Sequence, residues 1–440
     1  MSILYDIEII GGGLAGCEAA WRAAGRGARV RLWEMKPHRF SPAHKLDGLA
    51  ELVCSNSFRA AQPGNAVGLL KEEMRRLGSL TMSVAERTTV PAGGALAVDR
   101  ELFSLEVTEA IEKHPGIDLV RAEVTAWPGG QAPVVVAGGP LASEALVALV
   151  GELMDSPGLH FYDALAPIVS YESLDLDKVY LANRYEDNAG DYLNCPMNRE
   201  EFDLFLAAVL EADEVAPRAF EDRKYFEGCL PIEVMARRGA RTLTFGPMKP
   251  VGLDDPKTGR RPFAVVQLRR ENAAGSAWNM VGFQTRLTRP AQDKVFRLIP
   301  GLERAEFLRY GAIHRNTYLD APKVLDEYQR LRGAERFFVA GQFSGVEGYV
   351  ESAAQGLWAG ENAFRAARGL ELLIPPPSTA LGALLRHLRD LGQRKEFAPA
   401  NVNFGLFDPP PETVPKSQRS NWRVDKARED LTDFLSDVNF

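Results

Sequence analysis

No apolar run in this 440-residue chain approaches the roughly 18 residues that a membrane-spanning helix requires. The most apolar stretch, residues 133–154, is interrupted by Gly138, Gly139, Pro140, Glu144 and Glu152. The start of the chain has no secretory pattern, since Asp6 and Glu8 break its apolar run and glycines follow, so a cytoplasmic protein is expected. Cysteine is scarce: Cys17, Cys54, Cys195 and Cys229 form no CxxC and no Cys/His pair at zinc-ligand spacing. That excludes a disulfide framework, a zinc module and a dithiol redox pair, and no metal centre is expected. Repeats and low-complexity tracts are lacking, apart from two triple prolines, Pro375-Pro376-Pro377 and Pro409-Pro410-Pro411, which read as stiff, extended connectors. Neither charge sign dominates: 52 Lys and Arg against 59 Asp and Glu leave −7, a total that by itself points away from nucleic acid. A hydrophobic fraction of 45% with 25% charged residues excludes wholesale disorder, and the length predicts two or three domains.

What is present begins at once. Residues 3–10 read as a buried strand, 14–24 as a helix stopped by Gly25, and 28–34 as a second strand. This βαβ unit predicts an α/β fold with a doubly wound, Rossmann-type domain. Gly11-x-Gly13-x-x-Gly16 falls between strand and helix. There the backbone can approach a pyrophosphate, and the free N–H groups and aligned dipoles of the helix favour negative charge. Gly12, Leu14 and Ala15 complete that loop, and Glu34, 18 residues after Gly16, is placed to accept hydrogen bonds from an adenosine ribose. Near the far end, Ala340-Gly341-Gln342-Phe343-Ser344-Gly345-Val346-Glu347-Gly348-Tyr349 reads as strand end, loop and helix start. A second helix entrance of this kind suits the ribityl chain and pyrimidine of FAD, so Gly341, Gly345, Glu347 and Gly348 are further candidate cofactor residues.

The pattern changes between about 159 and 338, where short apolar segments (242–245, 263–268, 280–284) read as strands between turn-rich loops. The expected division is an FAD-binding domain over 1–155, an inserted mixed α/β domain over 156–330, a return segment over 331–375 and a C-terminal extension over 376–440. The charge is also divided. Residues 231–290 carry a net +7, leaving −14 on the remainder. Arg237, Arg238, Arg241, Lys249, Arg260, Arg261, Arg269, Arg270, Arg286 and Arg289 are candidates for a surface that meets phosphates.

Cys17, beside the third glycine, reads as packing, and so does Cys195 in a tight Asn194-Cys195-Pro196 turn. Cys54 sits in a polar turn, Glu51-Leu52-Val53-Cys54-Ser55-Asn56-Ser57. Cys229 precedes Pro231, which would open a helix stopping at Gly239, and a helix entrance favours thiolate. For both thiols, spacing alone leaves buried and chemical roles open.

Together these segments resemble the folate- and FAD-dependent tRNA (uracil-5-)-methyltransferase family, small relatives of glucose-inhibited division protein A. The likeness rests on Gly11 to Gly16, Glu51 to Ser57, Val90 to Arg100, Asp191 to Met197, Phe245 to Leu253, His314 to Tyr318 and Gly345 to Ser352, with Asn401 to Leu406 extending it weakly into the tail. One departure is Ala137-Gly138-Gly139-Pro140, where the family has Ala-Thr-Gly-Pro. The resemblance implies methylation of the T-loop uridine of tRNA to ribothymidine. Methylenetetrahydrofolate would be the carbon donor, FAD the hydride carrier, NAD(P)H the electron source, and no obligatory protein partner is inferred. It maps the catalytic thiols onto Cys229, toward uracil C6, and Cys54, beside the flavin. It also suggests His314, Asn316, Tyr318 and Tyr349 for the folate pocket. The competing readings are wobble-uridine modification of the division-protein type and a flavin NAD(P)H oxidoreductase that does not act on RNA.

Overall fold

A computed structural model describes residues 4–154, 159–164, 166–185, 190–215, 230–390, 397, 399–438 and 440. At its centre is a six-stranded sheet in the order Arg330–Leu331, Ala334–Val339, Val134–Val136, Ile7–Ile10, Val30–Glu34, Ile117–Arg121. Every neighbouring pair is parallel except the first. The strand Ile7–Ile10 is buried along its whole length, as a central parallel strand covered on both faces must be. From it the chain crosses to Val30–Glu34 on one side, while Val134–Val136 pairs on the other. The carboxyl ends of Ile7–Ile10 and Val134–Val136 therefore flank a topological switch point, the place where doubly wound sheets bind ligands.

The helix Leu14–Gly25 is built from small residues because a second helix lies almost on its backbone. A Cβ on Gly356 of the helix Tyr349–Ala367 would stand 2.1 Å from the Ala15 carbonyl oxygen, and one on Gly360 would stand 2.5 Å from that of Ala19. The return helix is thus locked to the glycine-rich turn by contacts that only glycine permits.

The second large sheet is antiparallel throughout: Tyr180–Leu181, Tyr192–Met197, Ala264–Arg270, Ala277–Met280, Ile168–Ser170, Phe307–Arg309. It encloses its own core around Phe202, Phe205, Phe283 and Phe296. Two sequence readings change here. Residues 242–245 are not a strand but the end of the helix Ala240–Phe245, whose Leu243 points into that core. Asn194-Cys195-Pro196 is not a turn but part of the strand Tyr192–Met197, with Cys195 opposite Val266. Also, residues 280–284 mostly follow the strand, which ends at Met280.

An antiparallel ribbon, Leu159–Ala164 with Ile313–Tyr318, joins the two sheets. The C-terminal segment belongs to the first core. Glu73 accepts the Ala380 and Leu381 N–H groups at 2.7 and 2.9 Å, and Phe434 and Phe440 pack on Trp358. Among the described residues no helix is long and apolar enough to cross a membrane.

Candidate active site

At the switch point lies a cleft enclosing about 1130 Å³ of non-protein space, its open mouth included. One wall is the turn from Gly11 to Ala15 with Glu34. The opposite wall is residues 137–143, and Gly341, Gln342, Tyr349 and Ser352 close the end. The helix Leu14–Gly25 meets this cleft with no side-chain cap and no acidic residue in its first turn. Its N–H groups and positive dipole end are therefore directed at the cleft without a protein anion to satisfy them. A Cβ on Gly13 would meet nothing within 4 Å, so this glycine faces open space. Gly11, at φ +106°, could not carry a side chain, since a Cβ would come 2.3 Å from the Ala137 carbonyl oxygen. A dinucleotide diphosphate fits this cradle, which supplies donors and positive potential and no bulk.

Gly16 does not line the cleft. A Cβ there would lie 1.8 Å from the Gly11 carbonyl oxygen, so this glycine serves the close packing of turn on helix. Glu34 is buried, its Oε2 accepting the Gly12 N–H and its Oε1 the Lys36 N–H, both at 2.9 Å. Each oxygen keeps a further lone pair for a ribose hydroxyl. At the other end only Gly341 of the four expected residues lines the cleft. Gly345 packs on Phe397, Gly348 on Glu351 and Asn401, and the Glu347 N–H donates to the Ala400 carbonyl. The departure at Gly138 also has a local explanation. A Cβ there would stand 2.6 Å from a Leu146 methyl carbon, so Leu146 fills the space a threonine would need.

Beyond the nucleotide end, the segment carrying Cys54 is held from several elements at once. The Cys54 and Ser55 N–H groups both donate to the Tyr349 hydroxyl oxygen, at 2.7 and 3.2 Å, and Val53 and Tyr349 line the cleft. Arg309, from the antiparallel sheet, donates to the carbonyls of Val53 at 3.0 Å and Cys54 at 3.1 Å. Arg269 donates to the Ser55 hydroxyl at 2.7 Å and to the Asn56 side-chain amide oxygen, Oδ1, at 3.0 Å. Arg100 reaches the Val53 carbonyl and pairs with Glu271 at 2.7 Å. Three guanidiniums against one carboxylate leave surplus positive charge at the junction of the two cores, which stabilises an anion formed there. Burial pushes the Tyr349 hydroxyl well above its ordinary range, so it stays protonated. Burial likewise raises Cys17 and Cys195 far above the usual thiol value, which leaves them inert.

Sequence reasoning missed Arg309, Arg100 and Glu271 in this role. Arg100 lay within a segment carrying the family resemblance but had no assigned function. Arg309 stands 255 positions from Cys54, with no local signal.

Cys229 lies outside the described residues. The helix expected after it is present as Ile232–Arg237, with Pro231 at its N-cap and Gly239 beyond it at φ +126°. The backbones of His314 and Asn316 lie in the ribbon, and the Thr317 N–H donates to the Pro140 carbonyl, which brings the ribbon to the cleft wall. The side chains of His314 and Asn316 are outside the described set. Tyr318 does not face the cleft but is buried against Phe397.

Two of the basic candidates are corrected. Arg269 is buried in the contacts just described. Arg286 is buried with Glu214 at 2.8 Å and the Val215 carbonyl at 3.1 Å. Both are spent inside the protein because desolvated guanidiniums require partners. Arg270 lies half-buried over the Trp278 ring, and Arg237 is exposed but paired with Glu214. Arg238 and Arg241 are exposed and Lys249 is half-buried.

The family model described as glucose inhibited division protein A matches residues 6–371. A methylenetetrahydrofolate–tRNA-(uracil-5-)-methyltransferase TrmFO from Geobacter sulfurreducens is 57% identical over 433 residues, 98% of this chain and 99% of that one. The protein of the same name from Anoxybacillus flavithermus is 52% identical over 431 residues, covering 98% and 99%. Among solved structures, Aquifex aeolicus GidA superposes with a TM-score of 0.71 at 17% identity, over 98% of this chain and 73% of that one, a likeness of fold.

Proposed function

Because this chain belongs to the glucose-inhibited division protein A family and, within it, to the methylenetetrahydrofolate–tRNA-(uracil-5-)-methyltransferases, we propose that Cys54 and Cys229 carry its chemistry beside the cleft at the switch point. The enzyme methylates C5 of a tRNA uridine in the T-loop, with methylenetetrahydrofolate as carbon donor and FAD as cofactor. In our reading NAD(P)H restores the reduced flavin, and no protein partner is needed.

C5 of uracil is a weak carbon nucleophile. Addition of a thiolate at C6 creates an enolate whose C5 can bond to an electrophilic methylene. Loss of the C5 proton and expulsion of tetrahydrofolate then leave an exocyclic methylene on the base, with the thiol still bonded to C6; hydride addition to that methylene restores the C5=C6 double bond and releases the thiolate. When bound, reduced FAD supplies the hydride that converts this methylene to methyl. We assign the addition to Cys229. Cys54 is held at the flavin end, where it supports the methylene-bearing base or moves a proton. Tyr349, Arg309 and Arg100 fix the Val53–Cys54 backbone, and the two guanidiniums supply positive charge for the enolate stage. The uncapped helix after Gly13 holds the diphosphate, Glu34 the ribose, and Tyr349 contributes to the folate pocket. The target base must leave the folded T-loop to reach this depth. Arg238, Arg241 and Lys249 belong to the face that meets its phosphates.

The observation that carries the reading is the tie between Cys54 and the cleft: its N–H bonds to the hydroxyl of a cleft residue, Tyr349, from the opposite end of the chain. Incubation with unmodified tRNA, methylenetetrahydrofolate and NAD(P)H is expected to yield ribothymidine only with FAD present. Cys229→Ala should abolish both product and the covalent adduct with 5-fluorouridine tRNA, and an adduct of undiminished yield overturns that assignment.

A further inference from the structure

Gly345, Glu347 and Gly348, the residues of the return loop that turn away from the cleft, all meet the C-terminal extension. A Cβ on Gly345, at φ +97°, would stand 2.5 Å from the Phe397 ring. The Glu347 N–H donates to the Ala400 carbonyl at 3.0 Å, beside a parallel bridge between Val346 and Ala400. A Cβ on Gly348, at φ +111°, would come 2.3 Å from Glu351 Oε2 and 2.9 Å from the Asn401 side-chain oxygen.

Glu351, in the first turn of the helix Tyr349–Ala367, is fully buried. Its Oε1 accepts the Val402 N–H of the extension at 2.9 Å and is paired with Arg59. Its Oε2 lies against Gly348 with no hydrogen-bond partner among the described residues. Arg59 belongs to the strand Ser57–Ala60, which follows the Cys54 turn, and it stands at φ +64°. Such strain persists only where the surroundings over-determine it. Here Lys71 donates to the carbonyls on both sides, Phe58 at 2.7 Å and Ala60 at 2.5 Å, while Glu351 holds the guanidinium. The Phe58 ring meets the Tyr349 ring edge-on, with centroids 6.1 Å apart. One carboxylate thus joins the strand leaving Cys54, the helix that begins with Tyr349, and the extension.

We propose that Glu351 is a positioning residue for the methyl transfer. Clamped by Arg59 and Val402, it fixes the Tyr349 hydroxyl against the Cys54 turn, so residues 400–402 serve the active site although they line no part of the cleft. This rests on the reading that Cys54 works beside the cleft. A buried carboxylate is a poor choice for stability alone, since apolar side chains of similar volume often do as well or better. What a paired charge adds is one fixed register between the segments it joins.

The test is turnover of the full-length, FAD-loaded protein with unmodified tRNA, methylenetetrahydrofolate and NAD(P)H, alongside FAD titration of each apoprotein. Glu351→Ala cuts both ties and should lower kcat roughly 10- to 100-fold, the cost of a misplacement of about 1 Å at the reacting groups. FAD affinity and the KM for tRNA should stay at wild-type values, because the diphosphate cradle and Glu34 are untouched. Glu351→Gln keeps the acceptor for Val402 and should restore part of the rate. Added to Tyr349→Phe, Glu351→Ala should lower kcat no further, since both act through the same hydroxyl. Gly348→Ala and Gly369→Ala separate position from strain: both glycines have positive φ, at opposite ends of one helix, but a Cβ on Gly369 would meet nothing within 4 Å. Both should lower Tm, and only Gly348→Ala should lower kcat. If Glu351→Ala does not fold, Glu351→Gln and Gly348→Ala carry the same readouts. Wild-type kcat in the Glu351 and Gly348 variants overturns the proposal, as does a multiplicative loss in the double variant or a loss of FAD affinity that matches the loss of rate. Full activity in both Tyr349→Phe and Cys54→Ala overturns the reading of Cys54 as well. Activity lost in those two but kept in Glu351→Ala overturns the clamp alone.

Discussion

Replacing Glu34 by Gln tests the nucleotide end of the cleft most directly. The carboxylate is buried, and its two oxygens accept the Gly12 and Lys36 N–H groups at 2.9 Å each. A carboxamide of the same size offers one acceptor. Whichever way it turns, an NH2 group faces one of these N–H donors. A buried donor left without its acceptor costs about 1–3 kcal/mol, and this loss is present with or without cofactor, so it appears as a lowered Tm. Cofactor affinity loses something different: the charge-assisted bond from the ribose. That bond is worth about 1.5–3 kcal/mol, so FAD should bind roughly 10- to 150-fold more weakly. Titration of the apoprotein with FAD, followed by quenching of flavin fluorescence, measures the second effect, and thermal unfolding of the apoprotein measures the first. A lowered Tm with wild-type FAD affinity would refute the ribose contact. Wild-type values of both would refute the whole account of Glu34.

Three further outcomes are expected. Gly356→Ala should lower stability by about 1–3 kcal/mol, the range for overpacking, because its Cβ would meet the Ala15 backbone at 2.1 Å; an unchanged Tm would contradict this. Arg309→Gln removes the donors to the Val53 and Cys54 carbonyls and should reduce kcat roughly 10- to 100-fold, the equivalent of one or two buried charged hydrogen bonds. Its FAD affinity should remain, and partial rescue by Arg309→Lys would separate lost charge from lost packing. Lys71 is buried against the Phe58 and Ala60 carbonyls, and burial with Arg59 nearby pulls it from its ordinary 10.5 down to about 7. Between those values the unfolded chain holds the extra proton, so stability should rise with pH through that window. Lys71→Met should flatten the rise in denaturant midpoints, and an unaltered slope would exclude Lys71 as its source.

The nucleotide end was legible because its determinants are local. A strand, a glycine turn, a helix start and Glu34 lie within 34 residues, and φ sterics and the helix dipole act over that range. The return helix Tyr349–Ala367 was legible as a helix start, but its close packing on Ala15 and Ala19 through Gly356 and Gly360 was not read from the sequence. Short apolar segments were less legible. Thr242-Leu243-Thr244-Phe245 alternates like a strand, but four residues cannot distinguish that period from one turn of helix. Its burial against the second core decided the matter. Charge misled in the same way. Arg269 and Arg286 read as surface because guanidiniums usually are, and they are buried because Ser55, Asn56 and Glu214 meet them from remote positions.

Through the family likeness the sequence singled out two candidate thiols; by itself it determined the doubly wound sheet, the glycine turn at its switch point and the acidic residue beside that turn. These follow from backbone rules and residue chemistry that act within a few turns of chain. Only the tertiary structure decided what surrounds Cys54. Its hydrogen-bonding partners come from Tyr349 and Arg309, and its neighbours Val53 and Ser55 are held by Arg100 and Arg269, residues from two separate cores. Such contacts form when the sheets pack against each other, and no periodicity along the chain encodes them.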